Sequence, residues 1–418
     1  MSALKSSRLF IRTALTLLSA ILMYSCGNST TPIEIVTDIP EVLEYLEYLR
    51  SEATAADLKV RFIEDPDRQV ALGGILPDII ISSDIAHSEF SSFLHPIPLF
   101  RLEGPGKSID DGFVLSDLYA GAYRPFLREN AISLVPLAFD LPILYLSESY
   151  AEILSGSSSI KYRELMGLSL ENNRRSGDNF SEMGFSSLRN LRFMELLIRD
   201  FSGSRERIPE PREMESALEM VDGLLAEYEQ TPSAQIYFNE VFAYAPDHAD
   251  MSEGRLYAVM STLHERSRAA NSQISDFPYI WLSSDDGIEV LGPGVYAAVL
   301  RGSRRKRAAT ELIRLMLSSR IQAGYISLNR GTDPSLFLGR LSTNRLVNER
   351  IIPEINPGLT FPDESSLMFP QSPDPLWEEI RRDVLIPWLG EQFDNDETSI
   401  EILYRNIETY YKLNGGYN

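Results

Sequence analysis

Apolar residues return along this chain at intervals that switch between strand and helix. Residues 33–36 (IEIV) form a short apolar run, and Thr37 and Asp38 follow as a loop and helix cap. Pro40 then suits a first helical turn, where its missing N–H is harmless. Val42, Leu43, Tyr45, Leu46 and Leu49 recur at helical spacing, which predicts an amphipathic helix over 40–50. Residues 58–63 (LKVRFI) alternate as a second strand, and 77–81 (PDIII) read as a buried third strand broken by Ser82, Ser83 and Asp84. Strand, helix, strand and strand at these intervals predict a parallel α/β sheet with crossover helices. Ligands of such sheets sit beyond the carboxyl ends of the strands. That rule selects Thr37, Asp38, Ser82, Ser83 and Asp84.

Residues 134–146 (LVPLAFDLPILYL) are apolar and hold two prolines, as an edge or crossing strand does, with Asp140 in the middle. A carboxylate in such a run is either exposed at a bend or paired for a purpose. From there to about 265 the pattern is mainly helical. Phe193, Leu196, Leu197 and Phe201 make one stripe, and Met214, Leu218, Val221, Leu224 and Leu225 another, with a polar loop between them. Sheet character returns at 279–282 and 295–300, and helices are expected at 304–319, 377–388 and 399–413. Sheet segments on both sides of a helical insert imply two lobes that the chain enters more than once.

The first residues add a location. Lys5, Arg8 and Arg12 precede an uncharged stretch at 14–23 (ALTLLSAILM), which is signal-peptide length and short of the roughly 20 residues that span a bilayer. Met23-Tyr24-Ser25-Cys26 then resembles a bacterial lipobox, in which residues 1–25 are removed and Cys26 is acylated. The alternatives are a plain secretory signal with a bystander cysteine, or an N-terminal anchor helix. Cys26 is the only cysteine, so no intramolecular disulfide competes for it. Residues 27–31 (GNSTT) read as a tether.

Composition narrows function more than fold. Hydrophobic content of 44% and charged content of 24% are those of an ordinary globular protein. A net charge of −21 argues against nucleic acid, which needs clustered Lys and Arg. It also argues against a surface that adheres directly to anionic lipid. The basic run Arg304-Arg305-Lys306-Arg307 reads as a solvated helix face. His87, His95, His248 and His264 form no HExxH, and Asp247, His248 and Asp250 read as an exposed loop rather than a metal site. There is no GxSxG elbow and no P-loop. Gly292-Pro293-Gly294 lacks the setting of a dinucleotide fingerprint, and Asp285-Asp286 is an unremarkable pair in so acidic a chain. No enzyme constellation is present, and no cofactor is called for.

Six segments in order resemble the family 1 extracellular solute-binding proteins, the binding components of ABC importers, and above all the sugar-carrying branch. They are IEIVTD at 33–38, PDIIISSD at 77–84, VPLAFDLPILY at 135–145 and MGFSS at 183–187. MSEGRLYAVM at 251–260 is similar to the family's F-x-x-G-K-A-A-M stretch. The last, GPGVYAAVLRGSRRKRAATELIRLMLSSRIQ at 292–322, is similar to its G-x-x-x-x-I-x-x-x-S-K-x-x-x-A-A-x-x-F-L helix entry. Arg255-Leu256-Tyr257 departs from the Lys-containing stretch, and Ser147 stands where many sugar binders have Asn. The resemblance implies a two-lobed α/β fold of the periplasmic-binding-protein type (type II), with an interlobe cleft and C-terminal helices. Residues 27–140 and 266–345 are expected in lobe one, and 141–265 and 346–418 in lobe two. It also implies a small solute, most readily a carbohydrate, an ABC permease as partner, a monomer, and membrane attachment through the lipid on Cys26.

Sugar binding needs aromatic faces for pyranose stacking and carboxylates for paired hydroxyls. The expected set is Thr37, Asp38, Ser83, Asp84, Phe139, Asp140, Tyr279, Trp281 and Tyr296, with Tyr145 beside them. Core packing is the alternative for each aromatic, and helix capping for Asp38 and Asp84. A rival reading keeps the fold as a surface adhesin or receptor-kinase sensor with an idle cleft. If the lipobox reading holds, Cys26→Ser abolishes incorporation of a labelled fatty acid and releases the protein to the soluble fraction. Persistent labelling of the variant refutes it.

Overall fold

The computed structural model describes residues 32–52, 57–83, 85, 90–103, 114–204, 207–242, 245–269, 272–328, 336–359, 361–370, 377–394 and 399–414. Cys26 and Asp84 lie outside them. The chain begins as read: β1 (Ile33–Thr37) leads through helix α1 (Pro40–Glu52) to β2 (Leu58–Phe62), and β3 (Ile79–Ser82) follows. β1 pairs in parallel with both other strands, with Ile35 opposite Val60 on one side and Ile79 on the other. Of the five helix positions that the spacing singles out, α1 buries Val42, Tyr45, Leu46 and Leu49 and leaves Leu43 half-buried.

The apolar run with two prolines is two strands, β4 (Val135–Asp140) and β5 (Pro142–Leu146), both buried along their whole length. They belong to different sheets, and only Leu141 lies between them. Pro142 opens β5, where a missing N–H costs the ladder least.

After β5 the structure departs from the helical insert. Strands β6 (Ser159–Lys161), β7 (Arg174–Ser176), β8 (Asn179–Phe185), β9 (Leu256–Thr262) and β10 (Tyr279–Ser283) join β5 in a second six-stranded sheet, ordered β7-β8-β9-β5-β10-β6. Helices α2 (Tyr162–Asn172), α3 (Leu191–Ser202) and α4 (Pro211–Glu227) alternate with them, and short helix α5 (Leu263–Arg268) follows β9. The strands escape a helix-minded reading because β6 and β7 have three residues each and β8 carries the half-buried polar residues Asn179, Ser181 and Glu182. The stripes at Phe193 and Met214 are real helices and pack on the second sheet's core.

The return to the first sheet comes at β11 (Leu291–Val299), later than expected from residue 266, because β10 pairs with β5 and β6. β11 runs antiparallel between β3 and β4, and β12 (Leu341–Ser342) closes the far edge. The helix expected at 304–319 is α6 (Lys306–Met316), and a further helix, α7 (Ser319–Leu328), follows it after Leu317-Ser318. Residues 346–359 stay with the first sheet, where Val347, Ile352 and Leu359 are buried. The C-terminal helices α8 (Ile386–Asp394) and α9 (Ile400–Asn414) join the second sheet's core through Trp388, Leu389, Leu403 and Ile407. A buried charge chain fixes them there: Arg381 to Glu195 at 3.2 Å, Glu195 to Arg199 at 3.4 Å, and Arg199 to Glu289 at 2.5 Å. Asp250, placed in an exposed loop by the sequence, is fully buried between Arg189 (2.6 Å) and Arg255 (2.7 Å). Burial without those two guanidinium groups would be costly. Among the described residues no helix is long and apolar enough to cross a membrane.

One glycine shows how tightly the second sheet is stacked. Gly184, in β8, donates its N–H to Asn173 Oδ1 (3.0 Å), and a Cβ there would overlap the Tyr150 hydroxyl and the Ser169 backbone. Backbone cannot retreat as a flexible side chain can. Gly184→Ala is therefore expected to destabilise the protein by about 1–3 kcal/mol. Urea denaturation measures this, and an unchanged midpoint would show that β8 and α2 are less closely packed.

Candidate ligand cleft

β4 is antiparallel to β11, and β11 to β3, so β1, β3 and β4 all point their carboxyl ends at one rim. At that rim Thr37 Oγ1 accepts the Ile39 N–H (3.1 Å), and Ser82 Oγ donates to Asp38 Oδ2 (2.8 Å). Ser83 follows, half-buried.

The facing wall comes from the second sheet. Thr262 ends β9 and caps α5: its hydroxyl accepts the Glu265 N–H (3.1 Å) while the Glu265 carboxylate accepts the Thr262 N–H (3.1 Å). Asp140 bridges the walls, since its Oδ1 accepts from Leu141 N–H (2.9 Å) and from His264 N–H (3.0 Å) of α5. Burial raises its pKa above the usual carboxylate value, opposed by the Thr262 hydroxyl, the nearby Arg340 and Arg192 charges and the His264 N–H. Of the charges that act on Asp140, that of Arg340 is the strongest. Arg340 is 7% exposed, its guanidinium attracted by Asp140, Glu41 and Asp38 and repelled by Arg268, and burial pulls its own pKa down.

Arg340 arrives on a tight turn in which Leu338 and Gly339 both take left-handed backbone angles (φ 52° and 65°). A Cβ at Gly339 would collide with Ser267 Oγ of α5, so only glycine lets this turn approach. Arg268 reaches Glu41 of α1 at 3.9 Å. The two walls therefore meet at Gly339, at this exposed ion pair and through a buried apolar cluster that takes in Leu137 and Phe337 together with Leu263 and Trp281.

The structure separates the expected residues into three groups. Thr37, Asp38, Ser83 and Asp140 share the rim just described. Phe139 and Tyr296 line a different space. Phe139 meets Tyr119 (5.4 Å) and Phe369 (5.1 Å) edge-on, and Tyr296 meets Phe126 (5.2 Å). Both border a cavity of about 40 Å3 that shares walls with one of about 540 Å3 lined by Arg124, Arg199, Glu289, Glu364 and Phe369. Tyr279 and Trp281 make the third group, in β10 of the second sheet. Trp281 is 2% exposed and packed in the core, so the stacking face expected of it is not presented. Tyr279 and Tyr145 flank the Arg266 guanidinium at 4.4 and 5.4 Å, which occupies their faces. Tyr279 and Trp281 stand in the second sheet because the chain returns to the first sheet only at β11, after residue 279.

Sequence reasoning missed Arg340, His264, Arg268 and Glu41. The Thr262-Leu263-His264-Glu265 capping signature could have marked the start of α5. Nothing in the sequence around 331–350 distinguishes Arg340. Among the described residues no group of His, Cys, Asp and Glu is arranged to hold a metal ion.

No family model and no curated protein matches the sequence. The fold, by contrast, is that of known binding proteins. The GacH receptor of Streptomyces glaucescens, solved unliganded and with acarbose, is 15% identical with a TM-score of 0.60, over 93% of this chain and 99% of that one. The sugar-binding protein MalE from Xanthomonas citri is 12% identical with a TM-score of 0.62, over 91% and 96%. An ABC substrate-binding protein from Listeria monocytogenes, in complex with cycloalternan, is 13% identical with a TM-score of 0.59, over 91% and 98%. The two-lobed, type II periplasmic-binding-protein fold is thereby the fold of this chain.

His264 makes the cleft sensitive to acid. Burial, reinforced by the Arg340 and Arg268 charges, pushes its pKa down to about 3 from 6.5. The folded protein holds it neutral while the unfolded chain protonates it, so its contribution is complete above pH 6.5 and is lost as pH falls toward 3. Between pH 7 and pH 5 the wild-type protein is expected to lose about 2 kcal/mol more than His264→Asn. Urea titrations at the two pH values test this, and equal losses would refute it.

Proposed function

We propose that this chain is an extracytoplasmic solute-binding protein that captures a sugar or oligosaccharide and delivers it to an ABC permease, without catalysis and without a cofactor. The observation that carries the reading is the polar junction of Asp38, Asp140, His264 and Arg340, set where three strand ends meet a helix of the other sheet. Carboxylates and a guanidinium there offer the fixed acceptors and donors that hydroxyl-rich ligands use. Known proteins with this fold support the ligand class, since those described above include one solved with acarbose and one with cycloalternan.

Lobe one then comprises β1 to β4 with β11, β12 and residues up to 359, and lobe two comprises β5 to β10 with the C-terminal helices. Closure of the lobes around the solute would create the shape that a permease recognises. Cys26 would carry the lipid that holds the protein at the outer face of a membrane. One acyl chain binds only marginally, so a stable anchor needs more than one.

Calorimetric titration with a panel of malto-, manno- and cyclic oligosaccharides tests the proposal. One class is expected to bind, and Asp38→Ala or Arg340→Ala to weaken it tenfold or more without unfolding the protein, while the exposed Glu148→Ala leaves affinity unchanged. Binding by none of the panel, or binding indifferent to both rim variants, would overturn it.

A further inference from the structure

The end of the first sheet opposite the cleft carries a feature that ligand capture does not use. There β3 begins and β11 ends, and Arg301 follows β11, donating its N–H to Phe93 O (2.8 Å) and its Nε to Leu94 O (2.7 Å). His95, which donates its N–H to Val299 O (2.7 Å), feels the positive charges of Lys306, Arg101 and Arg301 together. Arg101 lies against the ring of Phe100. Arg101, Arg301 and Arg304 are exposed and form no ion pair among the described residues. The acids nearby are turned to other work: Asp78 accepts from Ser303 Oγ (2.6 Å) and from Glu34 N–H (3.1 Å), and Glu34 engages Lys59 and Arg61.

Large apolar side chains stand among these bases. Leu76 lies over Gly302 and is 74% exposed, Phe100 is 72% exposed, and Phe93 is exposed beside Phe90. Arg305 donates to the Pro32 carbonyl, so the chain enters the fold at this same end. Seven Cα steps separate Ile33 from Cys26, a reach of at most roughly 25 Å.

We propose that this basic and apolar end of the first sheet docks on an anionic phospholipid surface, with the cleft turned away from the bilayer. The net charge of −21 repels most of the molecule from such a surface, so a local cluster of the opposite sign sets a single orientation. Exposed Leu and Phe between the cations reach the interface, as in other peripheral attachments. The tether argument rests on acylation of Cys26, but the patch itself does not.

The full-length acylated protein is placed on phosphatidylcholine vesicles with or without phosphatidylglycerol, and labelled at Leu76→Cys or, as control, at Glu148→Cys. Flotation with the zwitterionic vesicles reads the anchor alone. A lipid-borne quencher reads orientation. Quenching at residue 76 is expected only with phosphatidylglycerol, lost at high salt and lost in the Arg101→Glu/Arg304→Glu double variant, with no response at 148. Leu76→Ser with Phe100→Ser, unlabelled and competing, is expected to displace less of the labelled protein. Quenching indifferent to lipid charge would overturn the proposal, as would quenching that needs a second protein in the vesicle. Failure to float on zwitterionic vesicles, with charge-dependent quenching intact, would overturn the anchor and leave the patch standing.

Discussion

One residue separates two sheets. Asp140 ends a strand of the first, Pro142 begins a strand of the second, and Leu141 is the whole connection. So short a link cannot be a loop, and the first N–H groups beyond it need acceptors. Asp140 supplies one carboxylate oxygen to two N–H groups, that of Leu141 in the link itself and that of His264 in the first turn of α5. The side chain at the crossing thus ties the first sheet to the helix that opens the opposite wall, and the rim inherits its polarity from that tie.

An ionised carboxylate so buried is costly unless paired. The charge that most favours its ionised form is that of Arg340, from a distant part of the sequence, carried on the Leu338-Gly339 turn. The neighbouring residue on the strand solves the opposite problem. Successive strand side chains point to opposite faces, so Phe139 turns from Asp140 and joins Tyr119 and Phe369 in an aromatic cluster. One crossing strand thereby gives the junction a polar side and an apolar side.

The first sheet was legible because its strands announce themselves: IEIVT and PDIII are short apolar runs with clear breaks, and α1 has a clean apolar stripe. Asp140 stood out for the same reason, as a lone charge in an apolar run. The second sheet was hidden. Its strands are short or polar on one face, and periodicity reports which face is buried, never which sheet a strand joins. Trp281 illustrates the difference, since the local pattern correctly made it a strand residue and could not place that strand beside β5. Arg340 and His264 were invisible because their importance comes from contacts across the junction. Local sequence marks only the cap that starts α5.

The contacts between the walls differ in what separating the lobes would ask of them. Asp140 and His264 lie immediately on either side of the crossing and can remain bonded while the lobes turn about it. Glu41 and Arg268 lie farther out, and their exposed pair at 3.9 Å is the kind worth no more than about 1 kcal/mol. The Gly339 turn contributes shape rather than a bond. The outer contacts thus add little that an open form would have to give up, while the apolar cluster shared by the two sheets holds the crossing itself. On the proposed function, a ligand that gained even a few kcal/mol from Asp38, Asp140 and Arg340 in the closed form alone would decide the population. Weak contact at the outer edge and a strong tie at the crossing are together what a hinged capture device requires.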